Sequence, residues 1–226
     1  MKPHELLAET RTPAGDLMTL TRHGSEYIIL AGGKPLMSSR MHGSEEALAA
    51  IGCRWARTLK EPCVLVGGLG MGFTLRATLD LLPPDATVVV AELLLAVVEW
   101  NRSLLGPLAD HPLKDRRVRV DVGDVAATLR GSPGRFDAVL LDVDNGPDFL
   151  IHGENRALYT ATCLRVAYAQ LTDAGAEKLK LASCGHVGSI RTLLEDHLSE
   201  GEIEELSEIL GKLPGVAGGD DTCAAP

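Results

Sequence analysis

Residues 63–73 read Cys-Val-Leu-Val-Gly-Gly-Leu-Gly-Met-Gly-Phe, a short aliphatic run that empties into a turn built of glycines. Such a run, bounded by a turn signal, fits a strand buried on both faces. A helical stretch comes next, to about Leu82, and is stopped by Pro83-Pro84. The same alternation then recurs. Thr-Val-Val-Val-Ala-Glu at 87–92 is a second strand, residues 93–105 a helix, 118–124 a third strand and 136–142 a fourth. Strands alternating with helices predict an α/β fold with a parallel sheet and right-handed crossovers. Ligands of such sheets bind outside the carboxyl ends of the strands, so residues at those ends are the ones to weigh.

Upstream, residues 6–38 read as short strands punctuated by Pro13-Ala14-Gly15, Gly24-Ser25 and Gly32-Gly33, the pattern of a β-meander. A unit this small must pack against the rest of the chain to be stable. A helix is expected over 44–59, with Ser44 as N-cap and Glu45 and Glu46 in the first turn, where the helix dipole favours carboxylates. Hydrophobic residues make up 45% of the 226 but aromatics only 4%, so the core has to be aliphatic. A formal net charge of -9 offers no basic footprint for nucleic acid or an anionic membrane. No apolar run approaches the roughly 18 residues a membrane span needs. The five cysteines contain no C-x-x-C pair and the histidines no i, i+4 pair, so no metal site is expected. A reducing cytoplasm is the expected compartment.

The glycine turn carries the first chemical signal. A dinucleotide fingerprint, G-x-G-x-x-G/A, counted from Gly68 would place its third small residue at Phe73, which is too bulky for that role. The glycines run G-x-G-x-G instead, at Gly68, Gly70 and Gly72. This is the spacing of S-adenosylmethionine-binding proteins, whose ligand has no pyrophosphate. A flexible turn without a ligand is the alternative. Glu92 ends the second strand, where an acid can accept both ribose hydroxyl protons, and Asp124 ends the third, within reach of an adenine edge. Both could instead cap the following helices. Asp124 suits that role, whereas Glu is a poor N-cap.

Together, "VLVGGLGMGFTLRA", "VVVAELLLAVVEWNR", "VGDV", "FDAVLLDVDNGP" and "ALYTA" resemble the spermidine synthase (polyamine aminopropyltransferase) family over about residues 6–168. The resemblance implies a Rossmann-like class I methyltransferase sheet with a small N-terminal β-region. It also implies that Gly68, Gly70, Gly72, Glu92 and Asp124 hold S-adenosylmethionine or its decarboxylated form. Asp142 falls where the family has its catalytic Asp, Asp144 becomes a candidate for steering a cationic acceptor, and Tyr159 matches a substrate-side Tyr. The family pattern D-[ST]-[ST]-D-P-x-G-P is altered here to Asp142-Val143-Asp144-Asn145-Gly146-Pro147. Spermidine synthase activity in the strict sense is therefore not expected, and a methyltransferase or a non-enzymatic relative is favoured.

Residues 168–215 are similar to the C-terminal end of MarR-type regulators, a last wing strand and two dimerising helices, without the recognition helix. That implies a homodimer paired through helices and no DNA binding. Alternatively the stretch finishes the α/β domain, with residues 177–183 as a fifth strand. The expected organisation is 1–60 strands and helix, 61–170 nucleoside-binding domain, and 171–226 helical C-terminus with a disordered tail. The expected function is transfer of a methyl or aminopropyl group to a small, cationic acceptor; the rival is a catalytically idle module that self-associates.

Overall fold

Val64, Leu65 and Val66 have no exposed surface at all, which requires protein on both faces of the strand that carries them. The computed structural model, which describes residues 4–131, 134–143, 161–180, 199 and 201–202, supplies both faces. The strand is β5 (Cys63–Gly67), flanked in one sheet by β6 (Thr87–Glu92), β7 (Val118–Val122) and β8 (Ala138–Leu141). The order is β7-β6-β5-β8 and every pairing is parallel. Side chains alternate along each strand. Val64, Val66, Val88 and Val90 enter one core with α2 (Phe73–Leu81) and α3 (Leu95–Arg102). Leu65, Val89 and Ala91 enter a second with α4 (Val125–Leu129) and Phe136. Strand order reverses at β5, so the crevice beyond the carboxyl ends of β5 and β8 is the topological switch point.

The N-terminal meander has four strands: β1 (Glu5–Arg11), β2 (Leu17–His23), β3 (Glu26–Ala31) and β4 (Lys34–Ser38), antiparallel in chain order. Gly32 and Gly33 separate β3 from β4. Both have positive φ, as a two-residue hairpin turn requires, and Ala31 pairs with Lys34 across it. Met18, Leu20, Ile29 and Ala31 share a core with Val64 and Val66, so the meander completes the α/β core.

The helix expected over 44–59 is shorter. α1 spans Gly43–Gly52, and a separate 3-10 turn covers Ala56–Thr58. His42 takes the N-cap position and Ser44 lies inside the helix, its hydroxyl donating to the Glu45 carboxylate at 2.6 Å. At Gly52 a Cβ would stand 3.0 Å from Leu140 Cγ, so the glycine lets α1 lie close against β8.

After β8 the next described element is α5 (Ala161–Ala169), beyond which Leu171 forms a single parallel bridge with Phe136. Asp137 secures this edge, accepting from the Cys63 N–H at 2.8 Å and from the Thr172 hydroxyl at 2.7 Å. Residues 173–180 are helical. The fifth strand considered for 177–183 is therefore absent from 177–180, and so is a wing strand there. The Ala-Gly-Ala-Glu-Lys-Leu-Lys sequence has no β-branched residue, and it takes the helix its propensities favour. Two compact units divide the chain, Met1–Ala176 and Glu177–Pro226; both sheets lie in the first. The apolar positions Ile203, Leu206, Ile209, Leu210 and Leu213 lie outside the described residues. Among the described residues no helix is long and apolar enough to cross a membrane.

Candidate active site

Two backbone hydrogen bonds set the floor of the crevice. The Asp142 N–H donates to the Gly67 carbonyl at 2.7 Å, carrying the β5–β8 ladder one residue past the strand, and the Gly68 N–H donates to the Ala91 carbonyl at 2.8 Å. Gly68 thus lies against the Asp142 backbone. Its φ is +91°, and a Cβ there would overlap the Asp142 carbonyl oxygen. Only glycine meets both conditions. Gly70 is held by buried Asn101, whose Nδ2 donates to its carbonyl at 2.8 Å. A Cβ on Gly70 would meet Met37 Cε at 2.9 Å, and its φ is +51°.

Around this floor lies a cleft of about 470 Å³. It is lined by the meander, the start of α1, the ends of β5, β6 and β8 and the loop before α4. Of the sequence-predicted residues, Gly68, Gly70, Glu92, Asp124 and Asp142 all border it. Gly72 does not. It is the N-cap of α2, and a Cβ there would strike Asn101 Oδ1 at 2.9 Å and Pro112 Cγ at 3.1 Å, so its role is close packing. Asp144 and Tyr159 lie outside the described residues.

Glu92 is only 8% exposed, unlike the solvent-facing strand-end acid its position in sequence suggests. Its Oε2 accepts from the Leu69 N–H at 3.0 Å and its Oε1 from the Leu94 N–H at 2.9 Å. One carboxylate therefore ties the glycine turn to the segment leading into α3. Asp124 does cap α4, its Oδ1 accepting from the Ala126 N–H at 2.8 Å, and it borders the cleft as well.

Asp142 receives a short hydrogen bond on Oδ2 from the Thr74 hydroxyl, in the first turn of α2. Burial raises the Asp142 carboxyl above its ordinary value; the Thr74 bond opposes this and the negative charge of Glu45 adds to it. Glu45 is the residue that sequence reasoning missed. In the sequence it is a helix-dipole acid, yet it is 7% exposed and borders the same cleft as Asp142, from α1. The signal lay in the fold, since nothing in the local pattern tells which face of a short helix meets the crevice. Among the described residues bordering the cleft, four are acids and none is Lys, Arg or His. No group of three metal-ligating side chains occurs among the described residues.

No family model matches the chain, and no curated protein does. Solved structures do. A spermidine synthase in complex with the transition state analogue AdoDATO matches with a TM-score of 0.59 and 17% identity, over 74% of this chain and 53% of that one. The spermidine synthase of Thermotoga maritima matches with a TM-score of 0.59 and 17% identity, over 75% and 54%. The chain spans about half the length of these two proteins. A four-stranded antiparallel N-terminal sheet joined to a Rossmann-like parallel sheet is what they share with it. The chain has the fold of the spermidine synthases.

Proposed function

We propose that this protein is an alkyl transferase that binds an adenosyl sulfonium donor in the β5–β8 crevice and moves one carbon substituent to an amine acceptor. The observation that carries this reading is the charge of the cleft: Glu45, Glu92, Asp124 and Asp142 border it with no cationic side chain among the described residues. A cleft bordered by acids, with no cationic side chain among its described residues, favours cationic ligands by its local charge. A sulfonium nucleoside and a protonated amine both answer that need.

The cleft residues fit such a donor. Glu92 offers its carboxylate to the ribose hydroxyls, Asp124 lies at the edge suited to the base, and Gly68 and Gly70 let the ligand approach the main chain. The amino-acid carboxylate of S-adenosylmethionine would find no counter-ion among the described residues, whereas the decarboxylated donor carries only an ammonium there. The decarboxylated donor is therefore favoured. When bound, the sulfonium supplies an electrophilic carbon with a neutral thioether as leaving group. Asp142 takes the proton that an ammonium acceptor must lose before its lone pair can form the new C–N bond. Burial raises its affinity for protons, the direction a base needs, and Thr74 engages one of its oxygens. Asp144 and Tyr159 are assigned to the acceptor side. Catalysis then rests mainly on aligning nucleophile and donor. Free Cys53 and Cys63 suit a reducing cytoplasm.

Calorimetric titration with decarboxylated S-adenosylmethionine, methylthioadenosine and S-adenosylmethionine tests the reading. The first two should bind, and the third more weakly. Binding of none of the three would leave the idle module as the better account. With 1,4-diaminobutane as acceptor, turnover should stay below roughly 1 per second, since the acid spacing after Asp142 is altered.

A further inference from the structure

We propose that Met37 sets the donor specificity of the cleft: its thioether lies on the glycine turn, where the sulfur substituent passes, and admits only an unbranched chain. This rests on the transferase reading above. In the β3–β4 ladder Ile29 pairs with Met37 and Leu30 with Pro35, so Leu36 is an extra residue, a β-bulge. Side chains of a regular strand alternate between faces, but at this bulge the neighbours Leu36 and Met37 both border the cleft. Met37 reaches the turn itself. Its Cε and Sδ lie 2.9 and 3.0 Å from where a Cβ on Gly70 would stand, so not even a methyl group fits between them. Gly70 has little freedom to withdraw, because its carbonyl accepts from Asn101 Nδ2 at 2.8 Å. Asn101 is itself 1% exposed, and its Nδ2 also donates to the Val97 carbonyl at 3.0 Å.

The order of the strands brings the donor sulfur to this point. Asp124, Glu92 and the glycine turn stand at the ends of β7, β6 and β5, successive neighbours in the sheet. With the base at Asp124 and the ribose at Glu92, the 5′ substituent falls one strand further on, over the β5 turn, a step of about 4.8 Å. The meander side chain in contact with that turn is Met37. A thioether is unbranched, uncharged and polarizable, and it packs along a straight alkyl chain. A branched chain needs width at the point where Met37 and Gly70 meet. S-adenosylmethionine carries such a branch, its carboxylate and ammonium standing on one carbon, whereas the decarboxylated chain is straight. Shape therefore selects the same donor as the local charge, and the donor class becomes adenosyl sulfoniums with straight alkyl or aminoalkyl substituents.

The test is calorimetry on the full-length protein with two uncharged isomers, 5′-n-butylthioadenosine and 5′-tert-butylthioadenosine, which differ only in branching. Methylthioadenosine is the reference for the nucleoside subsite. The wild type should bind the straight isomer more tightly by about tenfold or more, the discrimination expected of a close apolar wall. Met37→Ala removes that wall. The preference should then drop below about threefold, while methylthioadenosine affinity changes by less than about threefold. Equal binding of the two isomers by the wild type, a comparison that needs no variant to fold, would overturn the assignment. An undiminished preference in Met37→Ala would overturn it too, and either result leaves the nucleoside reading intact. Failure of the wild type to bind methylthioadenosine would overturn the transferase reading itself, and this assignment with it.

Discussion

Glu92→Gln is the sharpest probe of how the crevice is built. The wild-type carboxylate presents one oxygen to the Leu69 N–H and the other to the Leu94 N–H. An amide has a single acceptor oxygen, so whichever way the substituted side chain turns, its NH2 confronts one of these two backbone donors. The confrontation is almost fully buried, at 8% exposure, and a buried donor left without an acceptor costs about 1–3 kcal/mol. For a chain of this size each kcal/mol lowers the melting temperature by about 2–4 °C. Glu92→Gln should therefore melt about 2–12 °C below the wild type without ligand. Methylthioadenosine affinity should fall further than the stability loss alone accounts for. Two ribose hydroxyls lose a charged acceptor worth roughly 1.5–3 kcal/mol per bond, part of which water returns, so a drop of about 10- to 100-fold is expected. Differential scanning fluorimetry and calorimetric titration of the same preparations provide the two readouts. An unchanged melting temperature would refute the bracing role of Glu92; an unchanged affinity beside a lowered melting temperature would remove it from the ribose site and leave it purely structural.

Three further outcomes are expected. The folded-state pKa of Asp142 is raised, so between its unfolded and folded values the native state holds the extra proton and stability falls as pH rises through that window. Asp142→Asn should thus be at least as stable as the wild type at neutral pH, with the advantage shrinking in acid; chemical denaturation across pH would expose the opposite slope, which would show that ionised Asp142 is stabilising. Gly68→Ala combines a positive φ with overlap of the Asp142 carbonyl and should lose about 2–5 kcal/mol, whereas Gly43→Ala, with open space and no positive φ, should lie within about 1 kcal/mol of wild type in urea unfolding; equal midpoints would contradict the close β5–β8 approach. Ile203, Leu206, Ile209, Leu210 and Leu213 follow helical spacing, so deletion of residues 199–226 should convert a dimer into a monomer in sedimentation, and a full-length monomer would exclude that pairing.

Much of the fold was legible because it depends on local pattern. Aliphatic runs such as Val64–Val66 and Val88–Val90 have to be buried on both faces, and glycines after β5 with prolines after α2 mark where strand and helix change over. From those alone come a parallel sheet and the strand-end placement of Gly68, Glu92, Asp124 and Asp142. Element ends were less legible: α1 ends at Gly52, a position packed against Leu140, a residue far away in the chain. Residues 177–180, one alternative for the start of a fifth strand, became helix instead. The site itself was divided by tertiary structure. The glycine triplet looks uniform in sequence, yet Gly68 and Gly70 border the cleft while Gly72 packs against Asn101 and Pro112. Glu92 reads as an exposed acid, but folding the turn over it made it a buried brace. Glu45 reads as a dipole partner and was turned into the cleft by the packing of α1 on β8. Charge and periodicity are properties of the chain, and the sequence by itself determined them; which carboxylates share a cavity depends on contacts between segments far apart along it, and only the tertiary structure decided that.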